Sequence, residues 1–523
     1  MFSPRDVTFK HGAVATSVPD AAHIGLEVLK QGGNAIDAAV ATAAALTVCE
    51  PTSNGIGSDL FALVWWQGAL YALDASGPSP KALTLEYLQK MGLTTIPTVG
   101  PLGINVPGTP AGWEALVERF GRRTFAQNLA PAIDKARAGM TITKTLEHYW
   151  NKALKRYGDF EDQAAMQSFF NTFGKTPVTC GQTVVLNDHA NTLQTLANEG
   201  SQCFYQGPLA STMAQYVKAH GGLLDEDDLK DYRVSWVKPM KTTFRGYDVV
   251  EMPPPTQGVI ALETLAILDQ LSPPRQDAEW VHQMIEATKR AFSDGFATLT
   301  DPAYMRVSPE DLLDPKHVQQ HAQALQANAS QSSDDASLPG GTVYLATVDA
   351  QGNMVSLIQS NYYGFGSGMV VPGTGIALNN RACGFSLEAG HINHVAPMKK
   401  TLHTLIPAFL MNGPQPIGPF GLMGGFMQPQ GHTQVLAHIF DRQRTLQEAL
   451  DAPRWQWMKA SDVMVEPDFD LDLKDHLIKK GHHIRVQEEI GYFGRGQILW
   501  VNPLTKRIHA ATERRCEGTL AGY

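Results

Sequence analysis

Apolar residues recur at helical spacing through an Ala-rich stretch from 20 to 48, so two helices are predicted there, separated at Gly32-Gly33. Asn34 can cap the second helix, Asp37 in its first turn suits the helix dipole, and Pro51 stops it. A turn over Asn54-Gly55-Ile56-Gly57-Ser58 leads into two apolar runs. These runs, Phe61 to Trp66 and Ala69 to Leu73, read as a hairpin about Gln67-Gly68. From about Trp113 to Leu271 the pattern is mostly helical, with a break at Pro253-Pro254-Pro255. The sharpest change comes at 324 to 341, where the residues turn small, polar and aperiodic, as in a mobile linker. That linker ends abruptly at Thr342. Val343 to Asp349 then alternate as a strand, Gln351-Gly352-Asn353 turn, and Met354 to Ser360 return as a second strand.

The chain has 523 residues, enough for several small domains or one large α/β body, and it shows no internal repeat. Hydrophobic residues make up 43% and charged residues 18%, a globular composition. With 42 basic and 51 acidic side chains the net charge is −9, and no long basic stretch offsets it, so nucleic acid is not an expected partner. No apolar run is long enough to span a bilayer, and the first residues lack the apolar core of an export signal; a cytoplasmic location is expected. The five cysteines are scattered without a C-x-x-C pair, which suggests neither a disulfide framework nor a zinc site. His391 with His394, and His482 with His483, lack the helical spacing of metal ligands, so no metal and no cofactor are expected.

Gly340-Gly341-Thr342 is where chemistry enters. A freed threonine N-terminus carries its own base, because an α-amine titrates near about 8 and can take the hydroxyl proton. Two glycines before it give the backbone freedom that a self-cleaving bond requires. Taken alone, the triplet is a weak signal and reads rather as an ordinary loop leading into a strand.

The surrounding residues change the balance. The stretch Gly341 to Ser356 resembles the autoprocessing site of the γ-glutamyltranspeptidase family of N-terminal nucleophile hydrolases. Phe365 to Asn380, Leu29 to Val40, Glu50-Pro51 with Gly55-Ile56-Gly57, Asp451 to Arg454 and the terminal Ala521-Gly522-Tyr523 resemble the same family. The resemblance implies a four-layer αββα sandwich cut from one precursor into a large subunit, 1–341, and a small catalytic subunit, 342–523. A dimer of such heterodimers is the further assembly it suggests. It implies Thr342 as nucleophile after cleavage of the Gly341–Thr342 bond, with Ser360, where the family usually has Thr, bonding near it. It implies Gly424-Gly425 as the backbone pair of the oxyanion hole. Two successive glycine amides can approach a developing oxyanion that bulkier residues would crowd.

The γ-glutamyl contacts of the family do not carry over. Ser76 stands where the resemblance calls for the carboxylate-binding Arg, and Gly384 where it calls for the ammonium-binding Asp. His403-Thr404 replaces a Ser-Ser pair, and Tyr362 replaces an Asn near the nucleophile. Arg381 adds a guanidinium while Gly384 removes an anion, so a substrate with a carboxylate and no α-amine is expected. Arg381 reads either as that carboxylate's ligand or as half of a structural ion pair, and His403 either as a pocket group or as a satisfied core histidine. Within the family, oxamate and glutaryl amides meet this description, and the bulk of Tyr362, Arg381 and His403 favours oxamate. The alternatives are a γ-glutamyl hydrolase or transpeptidase, a glutaryl acylase, and an unprocessed binding protein on the same scaffold.

Overall fold

A computed structural model describes residues 2–337 and 340–523. The first predicted helices form over Pro19–Lys30 and Ala35–Cys49. Asn34 caps the second by accepting from the Ile36 and Asp37 amides, and Asp37 reaches back to the Asn34 amide, a complete capping box. Every residue of Ala35–Cys49 is buried. Its alanines let it lie close against a sheet on one side and other helices on the other, which is why it carries no polar face.

Two antiparallel sheets of seven strands make the body. One runs, edge to edge, through Thr519–Gly522, Ala13–Thr16, Gly341–Val348, Met354–Tyr362, Asp59–Trp66, Ala69–Ala75 and Ser235–Val237. The other runs through Val7–Phe9, Ile508–Thr512, Arg495–Val501, Gln415–Met423, Ala408–Asn412, Tyr247–Glu251 and Met240–Phe244. Alternation along the strands sorts the core into layers. Tyr344, Ala346 and Val348 face inward and meet Phe409, Leu499 and Ala510 of the other sheet. Val343 and Leu345 face outward, against the Ala35–Cys49 helix and its neighbours. Helices Gly258–Asp269, Asp277–Thr298 and Met427–Phe440 cover the second sheet's outer face. The result is the expected four-layer αββα sandwich.

The region from 113 to 271 is less uniformly helical than its pattern predicts. Strands Ser235–Val237, Met240–Phe244 and Tyr247–Glu251 interrupt it. They are short, lie at or near sheet edges and alternate with polar residues, so their apolar signal is weak. Through 337, the predicted linker carries no helix or strand after the short helix Pro315–Gln323. It is held by backbone bonds from Ala329 to Lys480 and from Ala336 to Met458, and Ala336 is buried. Leu338 and Pro339, within that linker, lie outside the described residues.

Candidate active site

Thr342 sits where the Gly341–Val348 strand enters the sheet, and it is 2% exposed. The register with Met354–Tyr362 steps from Gly341–Tyr362 to Val343–Gln359. Two residues of the second strand, Ser360 and Asn361, therefore oppose Thr342 alone. Such a bulge bends the strand and re-aims a side chain. Here Thr342 Oγ1 donates to Ser360 Oγ at 3.2 Å, and Ser360 Oγ donates to the carbonyl oxygen of Gly341. The Tyr362 amide holds Ser360 Oγ at 2.8 Å. The Thr342 hydroxyl, the Ser360 hydroxyl and the Gly341 carbonyl thus form one hydrogen-bonded chain across the Gly341–Thr342 bond.

Gly424-Gly425 closes this site from the second sheet, at the end of the Gln415–Met423 strand. Both glycines have positive φ, 136° and 61°, which larger residues resist. A side chain at Gly340 would come within 3.1 Å of the Gly425 backbone, so the chain before Thr342 passes close against this glycine. Gln257 fixes this arrangement by donating to the carbonyls of Gly425 at 2.9 Å and Thr404 at 2.7 Å. The proline-rich break positions it: Pro255 O accepts from the His403 amide at 2.7 Å, and His403 O accepts from the Gln257 amide at 2.9 Å.

Arg381, His403, Thr404 and Tyr362 gather next to the threonine around a residue that sequence reasoning missed. Asp59, fully buried, pairs in register with Ser360. Its Oδ2 accepts from Arg381 Nε at 3.2 Å and from His403 Nε2 at 3.1 Å. The expectation that this pocket lacks an anion is therefore corrected: Asp59 supplies one, engaged by Arg381. The only sequence signal for it is a polar residue opening an otherwise apolar strand. Arg381 Nη1 donates to Thr404 Oγ1 at 3.1 Å, and its guanidinium lies 4.1 Å from the Tyr362 ring centroid. Nη2 remains buried without a partner among the described residues. Arg381 is thus half of a structural ion pair with one donor left free. Tyr362 adopts φ 83°, a left-handed conformation costly for an aromatic residue.

Burial, and the nearby Arg381, pull the His403 pKa down to about 4, so it is neutral at pH 7. Its Nδ1 accepts from the Leu405 amide, which puts the ring proton on Nε2, facing Asp59. Ser76, the other departure, bonds to Asp74, whose second oxygen accepts from Lys400 Nζ at 2.7 Å.

A cavity of about 200 Å³ touches Gly340, Gly341 and Gly424, and none of Arg381, His403, Thr404 and Tyr362 lines it. Tyr149, Lys152, Arg156, Tyr492 and Arg495 line it and were also missed, because they come from distant helices and strands. Arg495 is paired with Glu50 and Lys152 with Glu489, while Arg156 makes no ion pair among the described residues.

A family model described as gamma-glutamyltranspeptidase matches residues 21–523. The chain belongs to the γ-glutamyltranspeptidase family. It is 35% identical to a glutathione hydrolase-like YwrD proenzyme of Bacillus subtilis, over 89% of this chain and 90% of the relative. It is 34% identical to the oxamate amidohydrolase proenzyme of Klebsiella pneumoniae, over 98% of each chain. Among solved structures, a cephalosporin acylase from Bacillus halodurans superposes with a TM-score of 0.96 at 45% identity, covering 100% of this chain and 99% of the other. As a γ-glutamyltranspeptidase relative with these neighbours, the chain is a hydrolase acting on carbon–nitrogen bonds.

Proposed function

We propose that the chain cuts itself between Gly341 and Thr342 and then hydrolyses a small carboxylate-bearing amide, oxamate above others, through an acyl ester on Thr342. The observation that carries this reading is the hydroxyl chain from Thr342 through Ser360 to the Gly341 carbonyl. As Thr342 Oγ1 adds to the Gly341 carbonyl carbon, its proton passes to Ser360, and the Ser360 proton passes to the developing oxyanion. On collapse the C–N bond breaks, the carbonyl re-forms and the hydroxyl proton is transferred to the departing nitrogen, leaving Gly341 esterified to Oγ1 and the Thr342 amine free. Water then releases Gly341 as a carboxylate.

In the mature site the freed amine takes the Thr342 hydroxyl proton as the hydroxyl attacks the substrate carbonyl. Departure of the 340–341 segment uncovers the glycine pair for the substrate oxyanion. The amine passes that proton to the departing nitrogen, ammonia leaves, and water hydrolyses the acyl ester to a dicarboxylate. The free Nη2 of Arg381 is the donor for the substrate carboxylate. Tyr362, Arg381 and His403 are all buried, with the Arg381 guanidinium packed on the Tyr362 ring, and their bulk favours a small acyl group. The cavity of about 200 Å³ beside Gly341, where Arg156 makes no ion pair among the described residues, favours a second reading, a glutaryl acylase, because it offers a longer acyl chain room and a cation apart from Arg381.

A panel of oxamate, glutaryl and γ-glutamyl amides separates these readings. Oxamate is expected to show the highest kcat/KM, γ-glutamyl anilides to react poorly, and glycylglycine to accelerate nothing. Brisk γ-glutamyl transfer would refute the proposed pocket.

A further inference from the structure

Away from the active site, three helices bring four ligand-type side chains to one point. Glu263 comes from Gly258–Asp269, Asp294 from Asp277–Thr298, and His317 and His321 from Pro315–Gln323. The spacing of four residues puts both imidazoles on one helix face, with ring centroids 4.4 Å apart. His317 Nε2 lies 2.8 Å from Asp294 Oδ2 and 3.1 Å from Glu263 Oε1. His321 Nε2 lies 2.9 Å from Asp294 Oδ2 and 4.0 Å from Glu263 Oε1. All four ligand atoms fall within 4.8 Å of one another. A tetrahedral site with bonds of about 2.0–2.1 Å has edges of about 3.3 Å, and the separations of 2.8, 2.9, 3.1 and 4.0 Å lie on both sides of that value.

A second observation points to a ligand. The Glu263 side chain is 0% exposed, and its Oε2 has no hydrogen-bond partner among the described residues. Glu263 and Asp294 lie within hydrogen-bonding reach of each other, and the two carboxylates repel unless a proton or a cation stands between them. A dication neutralises both and accepts the lone pairs of two neutral imidazoles. His317, His321 and Asp294 remain 30%, 18% and 26% exposed, which leaves an entry path from solvent.

We infer that Glu263, Asp294, His317 and His321 form a structural site for a divalent transition metal of the zinc class. Two imidazoles and two carboxylates are the donor set of that class, harder than a thiolate site and softer than an all-oxygen one. Its role follows from where the helices lead. Gly258–Asp269 begins beside Gln257, which props Gly425 and Thr404. Pro315–Gln323 is the last helix before the linker to Thr342. The ion clamps the final helix of the large subunit onto the helix that supports the glycine pair, and it keeps that end attached when the linker is cut.

The test uses the mature, untagged protein, with metal content measured after purification without chelators and Co²⁺ binding followed after chelation. About one equivalent of bound metal is expected, with the intense visible bands of tetrahedral cobalt on Co²⁺ addition and a fall in Tm on chelation that Zn²⁺ reverses. His321→Ala and Asp294→Asn should each weaken Co²⁺ binding by at least the roughly 10–100-fold that even outer-shell changes cost. The inference is overturned if the protein carries no metal and binds neither Zn²⁺ nor Co²⁺ at 1:1. It is equally overturned if both variants, folded by circular dichroism, bind the ion as tightly as the parent chain.

Discussion

Ser360→Ala is the perturbation that bears most directly on self-cleavage. In the proposed cleavage its hydroxyl, bonded to Thr342 Oγ1 and to the Gly341 carbonyl, takes the threonine proton and hands its own to that carbonyl, so one substitution removes both a relay and an oxyanion donor. Losing one oxyanion-hole donor costs about 2.7–4 kcal/mol, or roughly 10²–10³ in rate. The Tyr362 amide, bonded to the same oxygen at 2.8 Å, also loses its partner. That buried donor costs about 1–3 kcal/mol of stability in precursor and product alike. Ser360→Thr retains the hydroxyl and should mature at close to the parent rate. Precursor made by cell-free synthesis at low temperature, then warmed and sampled over time on a denaturing gel, gives the rate of conversion. The Ala variant should slow by at least about a hundredfold while remaining folded by circular dichroism. Maturation of Ser360→Ala at the parent rate would refute the hydroxyl relay and leave Thr342 to be activated by some other group.

Two further outcomes follow from the buried pocket. Arg381→Ala strands the Asp59 carboxylate at a fully buried position, so it should cost about 3–5 kcal/mol in denaturant melts; adding Asp59→Asn should recover part of that loss. If the single and double variants are equally unstable, the pair is not the reason for the loss. The His403 pKa is depressed to about 4 in the folded protein, so unfolded chains bind its proton first as pH falls. Its contribution is whole above about pH 6.5 and is lost progressively towards pH 4, on the order of 3 kcal/mol in all. His403→Gln should flatten that part of the Tm-against-pH curve, and an unchanged curve would assign the slope to other buried histidines such as His189.

What the sequence reveals about this protein tracks how local the cause is. The capping box of Asn34 and Asp37, the Asp59–Trp66 and Ala69–Ala75 hairpin, and the pair of strands after Thr342 all rest on residues within a few positions of one another. They are legible for that reason. The linker is legible as a composition change, whereas its bonds to Lys480 and Met458 come from residues more than a hundred positions away. The pocket divides in the same way. Arg381 stands out as a cation near a family motif, but its partner Asp59 lies 322 residues earlier and opens an ordinary apolar strand. Gln257 acts through two backbone carbonyls, which no side-chain pattern records. The His317–His321 spacing could have been found in the chain; the carboxylates that complete the cluster come from two other helices.

Cleavage of the Gly341–Thr342 bond is the central step proposed for this protein, and intact mass spectrometry of the purified protein with N-terminal sequencing tests it most directly. Two polypeptides are expected, with masses summing to that of the chain plus one water, and the smaller should begin Thr342-Val343-Tyr344-Leu345. Thr342→Ala should leave one inactive polypeptide. A fully active protein that remains a single uncut chain, or a cut at any other bond, would contradict the account.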